Sequence, residues 1–587
     1  MDIHFNFIYL IQQALIQAAQ ALGESWKAFE PEVRPAAATF GDYQTSSILT
    51  YAKQLKLNPR SLAEQLLEQL ATQPLFVTQA IATSLSGPGF INFKLSDELL
   101  LKWLKDYNPA TALPASSQTV YKDKTIIVDY VSPNIAKQMH VGHLRTIVIG
   151  ESLQRLLRFA GAHVVRWNHL GDWGTAFGIL IQIIKETHYD LDAPHPQKLI
   201  ELEALYKKGT ERATEEPAFK EKARQELVEL QRGNPENKAM WQKITHISNE
   251  AFQEIYDQFG IGFDCILGES FYCDQVERVC SELKDLGIAA ENQGALVVFH
   301  PEHPRFNTQP FIIRKSDEGT NYATTDLAST LYRVEKFKAD ILIYLTDGRQ
   351  QDHFEQLTLT VQKWFQQKNY PYPQMRHAWF GTVLGKEGKA IKTRAGESVK
   401  LKDLISEAIK RAGEILELKN PNLPQNEKNI IARTVGIAAL RYADLSQNRT
   451  SDYIFDWDKI LSFEGNTAPY LLYAVARIYS LFRKLNASPD QSTYDPSPFE
   501  TDTERALARK LIQFPSTFEL TLEDLRPHIL CTYLFELAST FSSFYNANKV
   551  ITEEGQAQGC RLMLCARTLR TLETGLQLLG IPTLRQM

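Results

Sequence analysis

Apolar and polar residues alternate in different ways along this chain, and each pattern predicts a different element. The first segment, MDIHFNFIYLIQQALIQAAQAL, is apolar but broken by glutamines, and it predicts a helix. FGDYQTSSILTYAKQL follows, and SLAEQLLEQLA predicts a charged helix. GPGFINFKL alternates apolar and polar positions behind two glycines, which predicts a strand. Residues 1 to about 112 therefore form a small α+β unit, closed by the Asn/Pro/Ala/Ser loop NPATALPASSQ from Asn108.

From Thr125 the pattern changes. TIIVDYV is a β-branched run with no polar interruption until its aspartate, the mark of a buried strand. LRTIVIGESLQRLLRFAG places Leu144, Val148, Ile149, Leu153, Leu156 and Leu157 at helical steps, with Gly161 as its C-cap. HVVRWNHLGDWG predicts the next strand and turn. Strand, helix and strand in this order make a βαβ unit of a parallel sheet. A charged helical pair, LIELEALYKKGTERATEEPAFKEKARQELVELQRG, interrupts that sheet between about 185 and 300. The sheet is expected to resume with TQPFIIRK, ILIYLTD and RHAWFGTVLG, and the chain from about 400 onward to be mostly helical. No internal repeat is visible, and the one biased stretch is a short Asp/Ser/Pro loop near 488–498.

Length adds that 587 residues exceed one ordinary core, so three or four domains are expected. No stretch reaches the roughly 18 uninterrupted apolar residues of a membrane span. An aspartate stands where a secretory leader carries Lys or Arg, and no small-residue cleavage site follows. The six cysteines show no CxxC pairing and read as reduced thiols. A net charge of −5 argues against a general nucleic-acid coat but allows a local basic face for one RNA.

Chemistry concentrates in SPNIAKQMHVGHLR, Ser132 to Arg145, where the buried strand hands over to the helix. His-x-x-His also suits a metal, but no third Cys, His or Glu stands at a supporting spacing, and two ordinary surface histidines are the other plain reading. The location favours phosphate. Ligands of α/β sheets bind beyond the carboxyl ends of the strands, and a helix N-terminus offers free N–H groups and partial positive charge. His140 and His143 supply two further donors, and Gly142 lets a flat base approach the backbone. Neither GxxxxGK[ST] nor a strand-borne GxGxxG is present. A second basic cluster, GKEGKAIKTRAGESVKL, sets Lys389, Lys392 and Arg394 among glycines, so that a loop closing on a triphosphate would neutralise the leaving pyrophosphate.

HVGH resembles the H-I-G-H signature of class I aminoacyl-tRNA synthetases, and KAIKTR resembles a degenerate K-M-S-K-S loop. SPNIAKQMHVGHLR, NHLGDWGTAFG, YATTDLAST, RQQDHFEQ and FEGNTAPYLLYAVARI resemble arginyl-tRNA synthetases, in that family's order and over nearly the whole chain. The resemblance implies a Rossmann-type parallel-sheet catalytic domain at 113–462, with a helical insertion. It implies a small α+β tRNA-elbow domain at 1–112 and an all-α anticodon-binding domain at 463–587. The reaction it implies is attack of the arginine carboxylate on the α-phosphate of ATP, with Mg2+ on the phosphates, then transfer of arginine to tRNA(Arg). Members are usually monomeric and cytoplasmic.

Residue by residue, the resemblance assigns ATP to His140, Gly142, His143 and Lys392. Lys389 belongs to the loop, and Lys137 supplies charge that the degenerate loop lacks. Arginine falls to Asp129, Asn134, His140, Tyr322, Asp326 and Gln350, with Asp326 gripping the guanidinium by the paired geometry a carboxylate offers. Without the family, Asp326 reads as a helix N-cap. The tRNA falls to Phe90 and Asn92 at the elbow, and to Tyr470, Tyr473, Arg477, Tyr545 and Met587 at the anticodon, where rings and guanidinium planes stack on unpaired bases. Two alternatives remain: a class I enzyme for another amino acid, and a non-catalytic tRNA-binding paralogue.

Overall fold

Asn6 caps the first helix, α1 (Phe7–Ala21), its side-chain oxygen accepting from the N–H groups of Ile8 and Tyr9. The computed structural model describes residues 5–37, 39–109, 120–193, 197–316, 322–389, 391, 398–489, 497–551 and 559–587. Most of the loop expected from Asn108, and of that near 488–498, lies outside them. Helices α2 (Ser47–Leu55), α3 (Pro59–Leu70) and α4 (Asp97–Asp106) accompany strands β1 (Val33–Pro35), β2 (Tyr43–Thr45), β3 (Ile81–Ser86) and β4 (Phe90–Leu95). The strands form an antiparallel sheet in the order β1-β2-β4-β3. Strand β4 buries Ile91, Phe93 and Leu95 on one face, as FINFKL predicts, and Asn92 on the other is buried as well.

The chain folds into two compact units, Asp123–Ile460 and a second made of Met1–Lys122 with Leu461–Met587. In the first, β5 (Thr125–Asp129), α5 (Val141–Phe159) and β6 (His163–Leu170) make the expected βαβ unit. The C-cap of α5 is Ala160, one residue before the expected Gly161, which follows it in the left-handed region at a φ of +90°. Then come α6 (Thr175–Thr187) and three insertion helices, α7 (Lys198–Glu215), α8 (Pro217–Gln231) and α9 (Pro235–Phe259). Strand β7 (Cys265–Gly268) pairs parallel with β6. Helix α10 (Cys273–Asp285) precedes β8 (Ala289–Asn292), β9 (Ala295–Val298) and β10 (Phe311–Arg314). Helices α11 (Tyr322–Phe337) and α12 (Gln351–Lys368) flank β11 (Ile341–Tyr344), and β12 (Gln374–His377) ends the sheet.

The parallel sheet runs β12-β11-β5-β6-β7. Its chain moves outward from β5 to β7 and then returns to the other side of β5, so the strand order reverses between β5 and β11. Loops leaving those two strands diverge there and open a crevice at their carboxyl ends. Three expectations differ from this topology. RHAWFGTVLG supplies only Arg376 and His377 to β12, and its Val383–Leu384 pairs with Tyr453–Ile454 in a separate two-stranded sheet. TQPFIIRK does not resume the sheet: β10 belongs to a separate antiparallel sheet, β10-β9-β8. Nor is 185–300 wholly outside the sheet, because β7 lies within it. That short edge strand is only partly covered, with Ile266 exposed, so it lacks the apolar run that marks β5. Helices α13 (Leu401–Lys419) and α14 (Gln425–Leu445) complete the unit.

In the second unit, α15 (Ala468–Lys484), α16 (Asp502–Leu511), α17 (Phe514–Glu523), α18 (Pro527–Ala547) and α19 (Gly559–Leu578) are packed with the N-terminal segment. Arg509 of α16 pairs with the buried carboxylate of Asp42 at 2.6 Å, and Arg567 of α19 donates to the carbonyls of Leu104 and Lys105. Among the described residues no helix is long and apolar enough to cross a membrane.

Candidate active site

The loop leaving β5 carries three non-glycine residues in the left-handed region: Val131 at +78°, Ser132 at +44° and Ala136 at +59°. Such backbone persists only where its surroundings impose it. Each of the three N–H groups is held by a side chain of another element: Thr146 Oγ1 takes Val131, Asn168 Oδ1 takes Ser132 and Ser248 Oγ takes Ala136, at 2.9–3.1 Å. Asn134 bridges to Gly171, where a Cβ would fall 2.2 Å from Asn134 Oδ1. The SPN and GDWG turns therefore lock together above β5 and β6.

HVGH begins α5. His140 is its N-cap and His143 its third residue, in a reciprocal box. The N–H of Gly142 donates to His140 Nδ1 at 3.0 Å, and the N–H of His140 donates to His143 Nδ1 at 3.1 Å. A Cβ on Gly142 would lie 2.8 Å from His140 Cε1, so the glycine makes room for that ring. Desolvation lowers both imidazoles, with the Lys400 ammonium adding to it at His140 and the His140 ring at His143, which is pushed down to about 3. Both rings are therefore neutral near pH 7. With each Nδ1 accepting, each Nε2 carries the hydrogen. Lys400, Glu203, Arg349 and Lys137 also act on His140; Lys400 is paired with Glu203 and Arg349 with Asp347, so the Lys137 ammonium is the charge that suits an anionic ligand.

The end of the second basic cluster is tied to the same place. Val141 N–H donates to Val399 O and Leu401 N–H to Met139 O, both at 2.9 Å. Lys389 is exposed in a tight turn closed by Gly385 N–H on its carbonyl at 2.8 Å. Lys392 and Arg394 lie outside the described residues.

Across the sheet, Asp326 sits on the first turns of α11, inside the helix and not at its N-cap. Against the desolvation of burial, the hydrogen bond and charge of His353 hold its carboxyl below the usual range. His353 Nε2 is 2.7 Å from Asp326 Oδ2, and Tyr322, largely exposed, stands edge-on to the His353 ring. Glu269, after β7, faces the same region: desolvation first, then the Asp326 and Asp172 carboxylates, push it up to about 8. Asp172 fixes the neighbouring Ser270 through its N–H and hydroxyl at 2.9 and 2.6 Å. Carboxylates gathered in this way suit a cation. Asp129, at the end of β5, is buried and already paired with Arg333, whose guanidinium lies over the Trp167 and Tyr344 rings. Gln350 ends the turn that follows β11 and caps α12.

In the other unit Phe90 is half-buried, while Asn92 is buried and its amide is engaged with Gln44 and Ser86. On α15, Tyr473 is 49 % exposed, Arg477 lies 4.3 Å over the Tyr545 ring, and Tyr470 packs on Phe535. Met587 is half-buried. Glu269, His353 and Arg349 escape the sequence reading. Glu269 follows an unrecognised strand, and the other two stand in RQQDHFEQ beside the residue singled out, Gln350.

Three family models match the chain: "tRNA synthetases class I (R), catalytic domain" over residues 112–457, "DALR anticodon binding domain" over 471–587 and "Arginyl tRNA synthetase N terminal domain" over 7–95. Arginine–tRNA ligases of Erwinia tasmaniensis and Actinobacillus succinogenes are 41% and 40% identical, each over 99% of this chain and 100% of the relative. The arginyl-tRNA synthetase structure from Plasmodium falciparum matches with a TM-score of 0.83 at 27% identity, covering 99% of both chains. That from Thermus thermophilus matches at 0.80 and 25%, covering 99% of this chain and 100% of its own. The likeness takes in the crevice, the helical part and the N-terminal sheet alike, and the chain belongs to the class I arginyl-tRNA synthetases.

Proposed function

We propose that the crevice between β5 and β11 carries out both steps of an arginine–tRNA ligase. The chain uses ATP and arginine to form arginyl adenylate and pyrophosphate, then passes arginine to the 3′ end of tRNA(Arg). The observation that carries the assignment of sites is the pair of neutral imidazoles at the start of α5. Their Nε2–H groups donate to the α-phosphate as charge builds on it; the first-turn N–H groups, expected to be free, are instead spent on Val399 O, His140 Nδ1 and His140 O. Neither ring gives up a proton; the arginine carboxylate is the nucleophile, and the enzyme contributes position and charge. Lys137, Lys389 and Lys392 balance the leaving pyrophosphate, and Gly142 admits the nucleotide beside His140.

Asp326 and Glu269 take the guanidinium, with Tyr322 against it. Asn134, His140 and Gln350 hold the amino and carboxylate end, and Asp129 divides its charge between Arg333 and the ammonium. Mg2+ enters with the phosphates of ATP: the charge beside His140 that suits a ligand is the Lys137 ammonium, which fits phosphate oxygens and not a metal. Phe90 and Asn92 serve the tRNA elbow from residues 1–112. Tyr470, Tyr473, Arg477, Tyr545 and Met587 serve the anticodon from 463–587, and 113–462 is catalytic. The enzyme works as a cytoplasmic monomer.

Arginine-dependent exchange of pyrophosphate into ATP, with and without tRNA(Arg), tests this reading. Exchange that needs arginine and is lost in Asp326→Asn supports it. Tight tRNA binding with no exchange for any amino acid overturns it.

A further inference from the structure

We propose that the insertion helix α7 is a positioning element for the ATP phosphates, with Tyr206 holding the Lys137 ammonium in place. The proposal rests on the reading of Lys137 as a phosphate-facing charge.

A lysine ends a flexible four-carbon stem and is poorly placed unless something holds it. Lys137 is held on both flanks. The N–H of Ala136 before it is fixed by Ser248 of α9 at 3.0 Å. Gln138 after it donates its side-chain amide to Glu203 of α7 at 2.7 Å. Glu203 also binds Lys400 at 2.7 and 2.9 Å, and Lys400 stands in the backbone pairing with Met139–Val141. Tyr206 lies three residues beyond Glu203, on the same helical face. Its ring centroid is 4.9 Å from Lys137 Nζ. One face of α7 thus grips three parts of the site: the signature loop, the exit of the second basic cluster, and the lysine between them.

The two cations are held by different chemistry, and the difference is informative. Lys400 is met by a carboxylate, which cancels its charge and makes it a tether. Lys137 is met by a ring face, which attracts an ammonium through its quadrupole without neutralising it. A lysine that must present positive charge to a triphosphate needs the second arrangement. Both Tyr206 and Lys137 are half-buried, so substitutions there leave the core intact.

Pyrophosphate exchange with tRNA(Arg) present, at varied ATP and varied arginine, distinguishes the possibilities. The chains compared are the parent, Tyr206→Phe, Tyr206→Leu, Lys137→Ala and the Lys137→Ala/Tyr206→Leu double variant. The expected result is a KM for ATP raised about three- to tenfold in Tyr206→Leu. The KM for arginine stays at the parent value, Tyr206→Phe restores ATP use, and the double variant is no worse than Lys137→Ala. If Lys137→Ala is impaired while Tyr206→Leu matches the parent, Tyr206 does not position it. If Tyr206→Leu improves ATP use, the ring parks the lysine away from substrate, and the proposal falls. If Lys137→Ala itself leaves ATP use unchanged, the underlying reading of Lys137 fails first and takes the proposal with it.

Discussion

Val131 is β-branched and has a φ of +78°, a combination that costs on the order of 1–3 kcal/mol unless its surroundings enforce it. Thr146 does the enforcing: its hydroxyl accepts the Val131 N–H at 2.9 Å and lies 3.3 Å from the Leu345 carbonyl. Thr146→Val keeps the shape and removes the acceptor. Stability should fall by about 1–3 kcal/mol, the usual cost of a buried donor left unpaired, measured by denaturant unfolding. The exchange rate should fall with it, because Asn134 and Lys137 ride on that loop. Glu269 gives a pH prediction. Its carboxyl is pushed up to about 8 from an ordinary 4.5. Between those values the folded chain keeps a proton that the unfolded chain has shed, so this residue makes stability fall as pH rises through that window. Glu269→Gln should flatten that part of a stability-versus-pH curve. Arginine favours the ionised form, so its KM should drop as pH rises toward 8 in the parent and not in Glu269→Gln.

At the scale of elements, α5 is held by one buried ion pair. Arg145, two residues after His143, meets Asp444 of α14 at 3.1 Å, and both side chains are inaccessible. The guanidinium also donates to the Ser451 carbonyl at 3.1 Å and lies over the Phe380 and Tyr453 rings. Arg145→Met should cost about 3–5 kcal/mol, since it strands a buried carboxylate. Adding Asp444→Leu should recover most of that loss in a thermal melt. TIIVDYV and the helix after HVGH were legible because both are buried along most of their length, and burial writes itself as an apolar run or a helical stripe. β7 was not legible, because four residues on a half-covered edge carry no such pattern. β10 was legible as a strand but not as a member of the right sheet, since FIIR reads alike in either setting.

For the molecule as a whole, the two ends of the sequence share one unit. Asp42 lies in the loop entering β2 and accepts the Leu95 N–H at 2.7 Å. Its charge is met by Arg509 from the far end of the chain, itself 30% exposed. Arg509→Ala should lower the stability of that unit by about 1–2 kcal/mol, discounted for partial exposure. The transition should move for both segments together, which amide hydrogen exchange in β4 and in α16 would follow.

By itself the sequence determined the local elements and the chemistry of its motifs. A β-branched run, a helix stripe and a glycine between two histidines each carry their physical reason within a few residues. The candidate site was readable to the extent that it lies in such words: local chemistry singled out His140 and His143, the family resemblance named Asn134 and Asp326, and neither reached Glu269 or Tyr206. Tertiary structure alone decided the strand order that opens the crevice between β5 and β11. It alone brought Glu269 beside Asp326 from a different strand end, laid α7 against Lys137, and joined Asp42 to Arg509. Those pairings depend on how far-apart segments close on one another, and nothing in the spacing of neighbouring residues encodes the length or direction of that closure.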